Sequence, residues 1–346
     1  AFQKAVSLIN QGLLGSLYIP SGNYKVAFNT LIIKKPCKIY GDGVNSVLQP
    51  LNTNSDKKKI GTSCIEILSN SSIIEDINIQ HFYVAIKWNK KQQITINRCH
   101  LSYNIIGITT TDAYINSIAN NYITFNKIGI VAIGQSYQLL IQSNVIDNNV
   151  SDDVGGIGIL MLGSIGAEIR SNTIEGNRNL KSGVGCGFFS VGICTKLNVI
   201  GNWFEVNYEI GKPLTDISTD IYFFNRDYSN IDLHKKIINN LILEEFKILL
   251  NQASYGSVNI RDNIFIHTAT NILITNFNFG RVSISGNTFT GNELFNNKSI
   301  FLTHNRKAYY NTTFSIQDNN IQNISGNTKI VNKRMLSGKD NSLVFI

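Results

Sequence analysis

Three carboxylates, Asp147, Glu175 and Glu205, occupy the same place in a recurring stretch of this 346-residue chain. Each stands three residues after an asparagine flanked by apolar residues. Ile141-Gln-Ser-Asn144-Val-Ile146 runs into Asp147, Ile169-Arg-Ser-Asn172-Thr-Ile174 into Glu175, and Val199-Ile-Gly-Asn202-Trp-Phe204 into Glu205. If the stretches stack as neighbouring strands, the acids fall about 4.8 Å apart on adjacent coils and about twice that on next-but-one coils. Like charges at such separations raise at least one pKa, as a general acid requires. Retaining glycoside hydrolysis uses carboxyls about 5–5.5 Å apart and inverting hydrolysis about 6.5–9.5 Å, so an adjacent pair predicts retention and a pair skipping one coil predicts inversion. The competing expectation is a row of solvated acids offset by Arg170 and Arg178.

The chain between these coils adds Asp152 and Asp153, in Ser151-Asp-Asp-Val-Gly-Gly, and further on Asp216, Asp220 and Asp227. A paired aspartate before Gly-Gly can hold a cation or protonate a leaving group, and equally makes a turn through backbone hydrogen bonds. Trp203, Tyr208, Tyr222 and Tyr228 are candidates for stacking on sugar rings, and Arg170, Arg178 and Arg226 for clamping the carboxylates of an acidic glycan. Trp203, inside the recurrence, equally fits ordinary coil packing. Other chemistries have weak support. The five histidines are dispersed, without an HExxH pattern, and no GxSxG elbow occurs. Gly183-Val-Gly185-Cys-Gly187 lacks the strand-to-helix context of a phosphate loop. The five cysteines are odd in number and lack CxxC spacing, which predicts buried thiols rather than disulfides or zinc. Neither a metal nor another cofactor is expected.

What would position the acids is the recurrence itself. Asn97, Asn121, Asn144, Asn172, Asn202, Asn240, Asn263, Asn287 and Asn319 each have an aliphatic residue three places before and an apolar one two places after, and four of the intervals are 23 or 24 residues. Self-similarity at that period marks a solenoid, whose coils bury their apolar face by stacking. Alternating β-branched and polar residues around each asparagine describe two short strands joined by a tight bend. Asparagine tolerates the left-handed conformation such a bend demands, and stacked amides can hydrogen-bond from coil to coil. The predicted fold is all-β, a single-stranded right-handed parallel β-helix in one body. The intervals Asn144 to Asn172, Asn172 to Asn202 and Asn202 to Asn240 lengthen to 28, 30 and 38 residues, which expels loops at about 148–235 beside the acids.

The composition is 43% hydrophobic and 16% charged, with a formal charge of +8, which favours anionic partners such as an acidic polysaccharide. The basic residues are dispersed apart from Lys57-Lys58-Lys59 and Lys90-Lys91, so nucleic acid is set aside. The longest apolar stretch, around Ile157 to Ala167, is broken by glycine and too short to span a bilayer, so membrane insertion is not expected. No signal peptide opens the sequence, which predicts some other route if the protein acts outside a cell.

The first residues differ from the rest. Phe2, Ala5, Val6 and Ile9 share one helical face, which predicts a short amphipathic helix capping the open end of the stack. Gly15-Ser-Leu-Tyr-Ile-Pro20-Ser-Gly22-Asn-Tyr24, Leu31-Ile-Ile33 and Cys37-Lys-Ile-Tyr-Gly41-Asp42-Gly43 follow. This segment, roughly the first 45 residues, resembles the N-terminal signature of the pectate-lyase superfamily β-helices, particularly those of bacteriophage tailspikes. The shared features are an AxQxA-type capping helix, a hydrophobic-Ile-Pro-x-Gly-x-Tyr turn and a Gly-Asp-Gly turn. The resemblance implies a homotrimeric depolymerase on the virion tail that binds and cuts a host capsular or surface polysaccharide. In that family an Asp-rich stretch usually precedes the helix, whereas this chain starts inside it, as an excised piece would. The calcium cluster of pectate lyases is not evident, which favours hydrolysis over β-elimination on a uronic acid; a glycan-binding shaft without catalysis is the remaining alternative. The expected organisation is a cap with first coils over 1–45, the β-helix over 46–332, and a C-terminal extension or stub over 333–346.

Overall fold

A computed structural model describes residues 2–51, 62–134, 136–152, 155–180, 184–207, 217–224, 257–266, 270–275, 281–290, 298–303, 313–322, 331–333 and 343–345. Each coil passes through three parallel sheets in turn. Ser117–Ala119 lies in sheet A, Tyr122–Thr124 in sheet B and Ile128–Ile133 in sheet C; the next coil repeats them as Leu140–Gln142, Val145–Asp147 and Ile157–Ile165. Strands pair with their counterparts one coil away, Ile118 with Ile141, Ile123 with Ile146 and Ile130 with Ile159. This is the right-handed parallel β-helix that the recurrence predicts.

The short strands leave one inward position each in sheets A and B, and apolar residues fill it. Ile96, Ile118, Ile141, Ile169, Val199, Ile260 and Ile284 form one fully buried column of sheet A, and Leu101, Ile123, Ile146, Ile174, Phe204, Phe265 and Phe289 the corresponding column of sheet B. Burying each such side chain stabilises the stack by about 1.5–3 kcal/mol. The phenylalanines continue the column as stacked rings, with centroids 5.1 Å apart for Phe204 and Phe265 and 4.9 Å for Phe265 and Phe289.

Register is held by an amide ladder at the corner between sheets A and B. Asn172 shows the pattern: its Nδ2 donates to Ile141 O at 3.0 Å and to Asn202 Oδ1 at 2.9 Å, while its own Oδ1 accepts from Asn144 N and Nδ2, both at 2.9 Å. The ladder runs through Asn121, Asn144, Asn172, Asn202, Asn263, Asn287 and Asn319. Three expectations change. The left-handed residue is the one before each ladder asparagine, as at Asn120 (φ 58°), Ser143 (φ 53°) and Ser171 (φ 54°), because the amide must turn inward to bond. Asn97 lies two residues out of register, and Cys99 takes its rung, its N–H donating to Asn121 Oδ1 at 2.9 Å. Asn240 lies outside the described residues, and the ladder steps directly from Asn202 to Asn263.

The helix Phe2–Asn10 caps the first coil, with Val6 and Ile9 buried and Phe2 edge-on to Tyr24 at 5.6 Å. Asn10 fixes its end by donating to Ile32 O at 2.9 Å and accepting from Lys34 N at 2.7 Å, which covers the exposed edge of sheet C. Asp42 of the Gly-Asp-Gly turn accepts from Tyr18 Oη at 2.8 Å and from Ser21 N and Oγ at 2.8 and 2.9 Å. These bonds, the Tyr18 one foremost, hold its carboxyl below the usual range. The turn needs glycine at 41, where a Cβ would lie 2.7 Å from Ser46 Cβ. At the far end, Leu343–Phe345 pairs with Thr313–Gln317 in sheet A. Cys37, Cys64, Cys99 and Cys186 are buried free thiols. Among the described residues no helix is long and apolar enough to cross a membrane.

Candidate functional site on sheet B

A second amide ladder, five residues after the first, runs Asn104, Asn126, Asn149, Asn177 and Asn207 at the corner between sheets B and C. Between the two ladders lie only the strand of sheet B and one corner residue. The middle strand residue points into the core, so the first and third face outward. That places Asp147, Glu175 and Glu205 directly in register as third residues of their strands. Thr124 and Ser102 precede them in this column and Ile266 follows. Ser102 is the equivalent residue of its coil, because Cys99 and not Asn97 stands on the ladder.

The loops leave the stack just beyond these acids. In the preceding coil three residues carry the chain from Thr124 to the first residue of sheet C, Ile128. Ile157, Cys186 and Thr219 are register equivalents of Ile128, so the connections after Asp147, Glu175 and Glu205 are all longer. The first two of them pair in a two-stranded ladder, Val150 with Arg178 and Ser151 with Asn179. The acid file is thus flanked by expelled chain on its sheet C side.

The three acids have different surroundings. Asn148 Nδ2 donates to Asp147 Oδ2 at 3.1 Å, whereas Asp147 Oδ1 is buried without a hydrogen bond. Trp203 Nε1 donates to Glu205 Oε2 at 2.9 Å. Among the described residues nothing donates to the Glu175 carboxyl. Its following residue is Gly176, at φ 61°, where a Cβ would lie 2.9 Å from Asn148 Oδ1, the side chain that braces Asp147. Burial pushes the Glu175 carboxyl up, and the charges of Glu205 and then Asp147 push it further. The arrangement is a carboxyl without a hydrogen-bond donor, raised in pKa, between two acids that each accept a bond from a local donor.

The other candidates scatter. Trp203 faces outward beside Glu205 and is 39% exposed. Arg178 sits in the loop ladder, partly buried, with Nε unpartnered. Asp152 is exposed at the end of the loop strand. Arg170 is not in the file: it ends a strand of sheet A, where Gln142 Oε1 and Glu168 Oε1 hold its guanidinium. Tyr222 is not available to a ligand. It is 2% exposed on the outward side of sheet C, stacked on Phe189 at 4.8 Å, within a column of Val131, Leu160 and Phe189 that makes this part of the sheet apolar on both faces. Asp220 is fully buried and follows Gly129, Gly158 and Gly187 in one column of sheet C. A Cβ on Gly187 would lie 2.9 Å from Asn207 Nδ2, and Asp220 Oδ1 accepts from that Nδ2 at 2.9 Å. Asp220 therefore terminates the second ladder in place of a further asparagine. Asp153, Tyr208, Asp216, Arg226, Asp227 and Tyr228 lie outside the described residues.

The sequence reading missed the second ladder, which is visible as pairs five apart (Asn121 and Asn126, Asn144 and Asn149, Asn172 and Asn177, Asn202 and Asn207). It also missed the half-exposed rings of Tyr103, Tyr122 and Phe125 beside the acid column.

Comparison with solved structures finds similar folds at low identity. The catalytic domain of a GH87 alpha-1,3-glucanase in complex with tetrasaccharides aligns with a TM-score of 0.59 at 14% identity, over 94% of this chain and 64% of that one. DFA-IIIase from Arthrobacter chlorophenolicus A6, without its lid, aligns with a TM-score of 0.50 at 12% identity, over 95% and 93%. The chain thus spans about two thirds of the glucanase domain's length, 64%. Comparison with curated protein sequences finds no match. Residues 39–204, which include Asp147 and Glu175 and end one residue before Glu205, match the sequence family described as "Right handed beta helix region".

Proposed function

We propose that this chain is a polysaccharide depolymerase that hydrolyses a glycosidic bond in the groove on sheet B, with Glu175 as general acid and Glu205 as nucleophile. The observation that carries this reading is the register-adjacent file Asp147, Glu175 and Glu205 beside the points where the loops leave the stack. Strand spacing puts Glu175 and Glu205 about 4.8 Å apart at the backbone, close to the separation of retaining glycosidases. Glu175, raised by burial and by its neighbours, protonates the glycosidic oxygen as the Glu205 carboxylate attacks the anomeric carbon. Water then attacks the glycosyl ester, Glu175 takes its proton and the Glu205 carboxylate departs. Asp147 adds a second like charge that raises the Glu175 pKa further.

A charge of +8 suits an acidic glycan. The N-terminal residues that resemble tailspikes support a host capsular or surface polysaccharide as substrate, action from a virion tail, and a homotrimer. That a glucanase holds tetrasaccharides on a similar fold supports an extended glycan on this scaffold.

The test is incubation with a panel of purified capsular polysaccharides, followed by reducing-end and ultraviolet assays. New reducing ends without absorbance of unsaturated uronates are expected, with retained anomeric configuration by NMR, and both are lost in Glu175→Gln. Reducing ends together with that absorbance indicate β-elimination, and neither signal indicates a binding shaft.

A further inference from the structure

On the N-terminal side of the acids the same groove carries a different lining. His81, Tyr103 and Phe125 occupy the corner between sheets B and C on three consecutive coils, with ring centroids 5.3 and 5.2 Å apart. All three are left-handed, at φ 65°, 58° and 56°. Side chains with a Cβ pay roughly 1–2 kcal/mol in that conformation, and glycine or asparagine avoids most of it. The next two coils carry Asn148 and Gly176 at the same corner and the coil after them Val206, while the other corner of the aromatic coils carries Asp76, Arg98 and Asn120. Bending the chain therefore does not require rings here. Tyr103 and Phe125 are 52% and 50% exposed, and Tyr122, facing outward on sheet B, is 55% exposed.

Next to these rings lie two hydroxyls with nothing to bond. Ser102 and Thr124 are 1% and 5% exposed, and their hydroxyl oxygens are buried without a hydrogen-bond partner. They stand in the acid column immediately before Asp147, whose Oδ1 is likewise unpartnered. An orphaned buried hydroxyl costs about 1–3 kcal/mol, so rotating either side chain outward onto a ligand hydroxyl recovers that cost. An apolar protein partner would cover the rings and leave the hydroxyls unpaired. A pyranose offers both surfaces, an apolar C–H face and equatorial hydroxyls.

We infer that Tyr103, Tyr122 and Phe125, with the Ser102 and Thr124 hydroxyls, form the subsites that hold the glycan beyond the point of cutting, so that the chain lies along the stack axis from Asp147 toward the N-terminal cap. This rests on the depolymerase reading and adds a direction to it. The enzyme then needs several sugars on that side of the scissile bond.

The test uses fluorescently labelled samples of the capsular polysaccharide panel, with the Glu175→Gln protein as the non-cutting parent. Adding Tyr103→Ala with Phe125→Ala, or Thr124→Val, is expected to weaken retention at least tenfold. The same changes in the active enzyme are expected to raise KM at least tenfold with kcat within twofold. Ile115→Ala, an exposed aliphatic at another corner, is the control and leaves both unchanged. Unchanged retention and KM in the ring and hydroxyl variants overturn the inference while the depolymerase reading stands. A changed sedimentation coefficient with unchanged retention also overturns it, in favour of self-association. A parent that neither binds nor cuts any polysaccharide removes both readings together.

Discussion

The Trp203 indole N–H donates to Glu205 Oε2 at 2.9 Å across two positions of one strand, so the partly exposed ring beside the acid also sets its orientation. A hydrogen bond to a charged group contributes about 1.5–3 kcal/mol. Trp203→Phe keeps an aromatic face and removes only the donor. It is expected to lower kcat about tenfold or more, since each 1.36 kcal/mol is about a factor of ten, with KM and Tm little changed. Steady-state kinetics beside a melting curve check this, and a purely structural ring would move Tm and leave kcat alone.

Glu175 should govern the alkaline side of the activity profile. Its folded pKa lies above its ordinary value, so the reactive protonated form is lost as pH rises through the folded pKa. Removing one neighbouring charge, by Glu205→Gln or Asp147→Asn, lowers that pKa partially, because burial is the larger cause. For Asp147→Asn, which leaves the proposed nucleophile in place, the alkaline limb of kcat/KM is expected to move to lower pH. The stability effect has a matching sign. Ionised Glu175 is unfavourable in the fold, so its cost is absent below the unfolded pKa and present above the folded one. Glu175→Gln should therefore raise Tm at alkaline pH and leave it unchanged near pH 4.

The first amide ladder is cooperative. Asn172→Ala orphans Ile141 O and the Asn144 N–H groups that its amide now pairs. At roughly 1–3 kcal/mol for each buried orphan, the expected loss is about 3 kcal/mol or more, read as a lower urea midpoint. A loss under about 1 kcal/mol would show that the coils keep register without it.

Asp220 separates a structural acid from a reactive one. Asp220→Asn preserves an acceptor for Asn207 Nδ2 and should retain cutting, whereas Asp220→Ala should lower Tm sharply, with activity falling only as far as the folded fraction does. Loss of kcat in a fully folded Asp220→Asn protein would reassign this residue to the chemistry.

The architecture was legible in the sequence because a repeating coil writes its period into the spacing of one polar residue that only a ladder can satisfy. The acid file followed for the same reason: once Asn144, Asn172 and Asn202 share a level, so do the residues three places on. Tyr222 and Asp220 were misplaced because local sequence does not distinguish a long loop from a strand buried on both faces. Arg170 was misplaced because two residues before a ladder asparagine means a different sheet from three residues after it. The rings at 103 and 125 stayed hidden because they occupy a left-handed corner where residue preference predicts asparagine or glycine.

Asn202 bonds directly to Asn263 although 61 residues separate them along the chain. The scaffold thus closes one rung onto the next whatever length of polypeptide departs in between, and the entropic penalty of lengthening such a detour grows only logarithmically. A change in the length of that segment therefore leaves the Asn202–Asn263 rung, and the register on either side of it, in place.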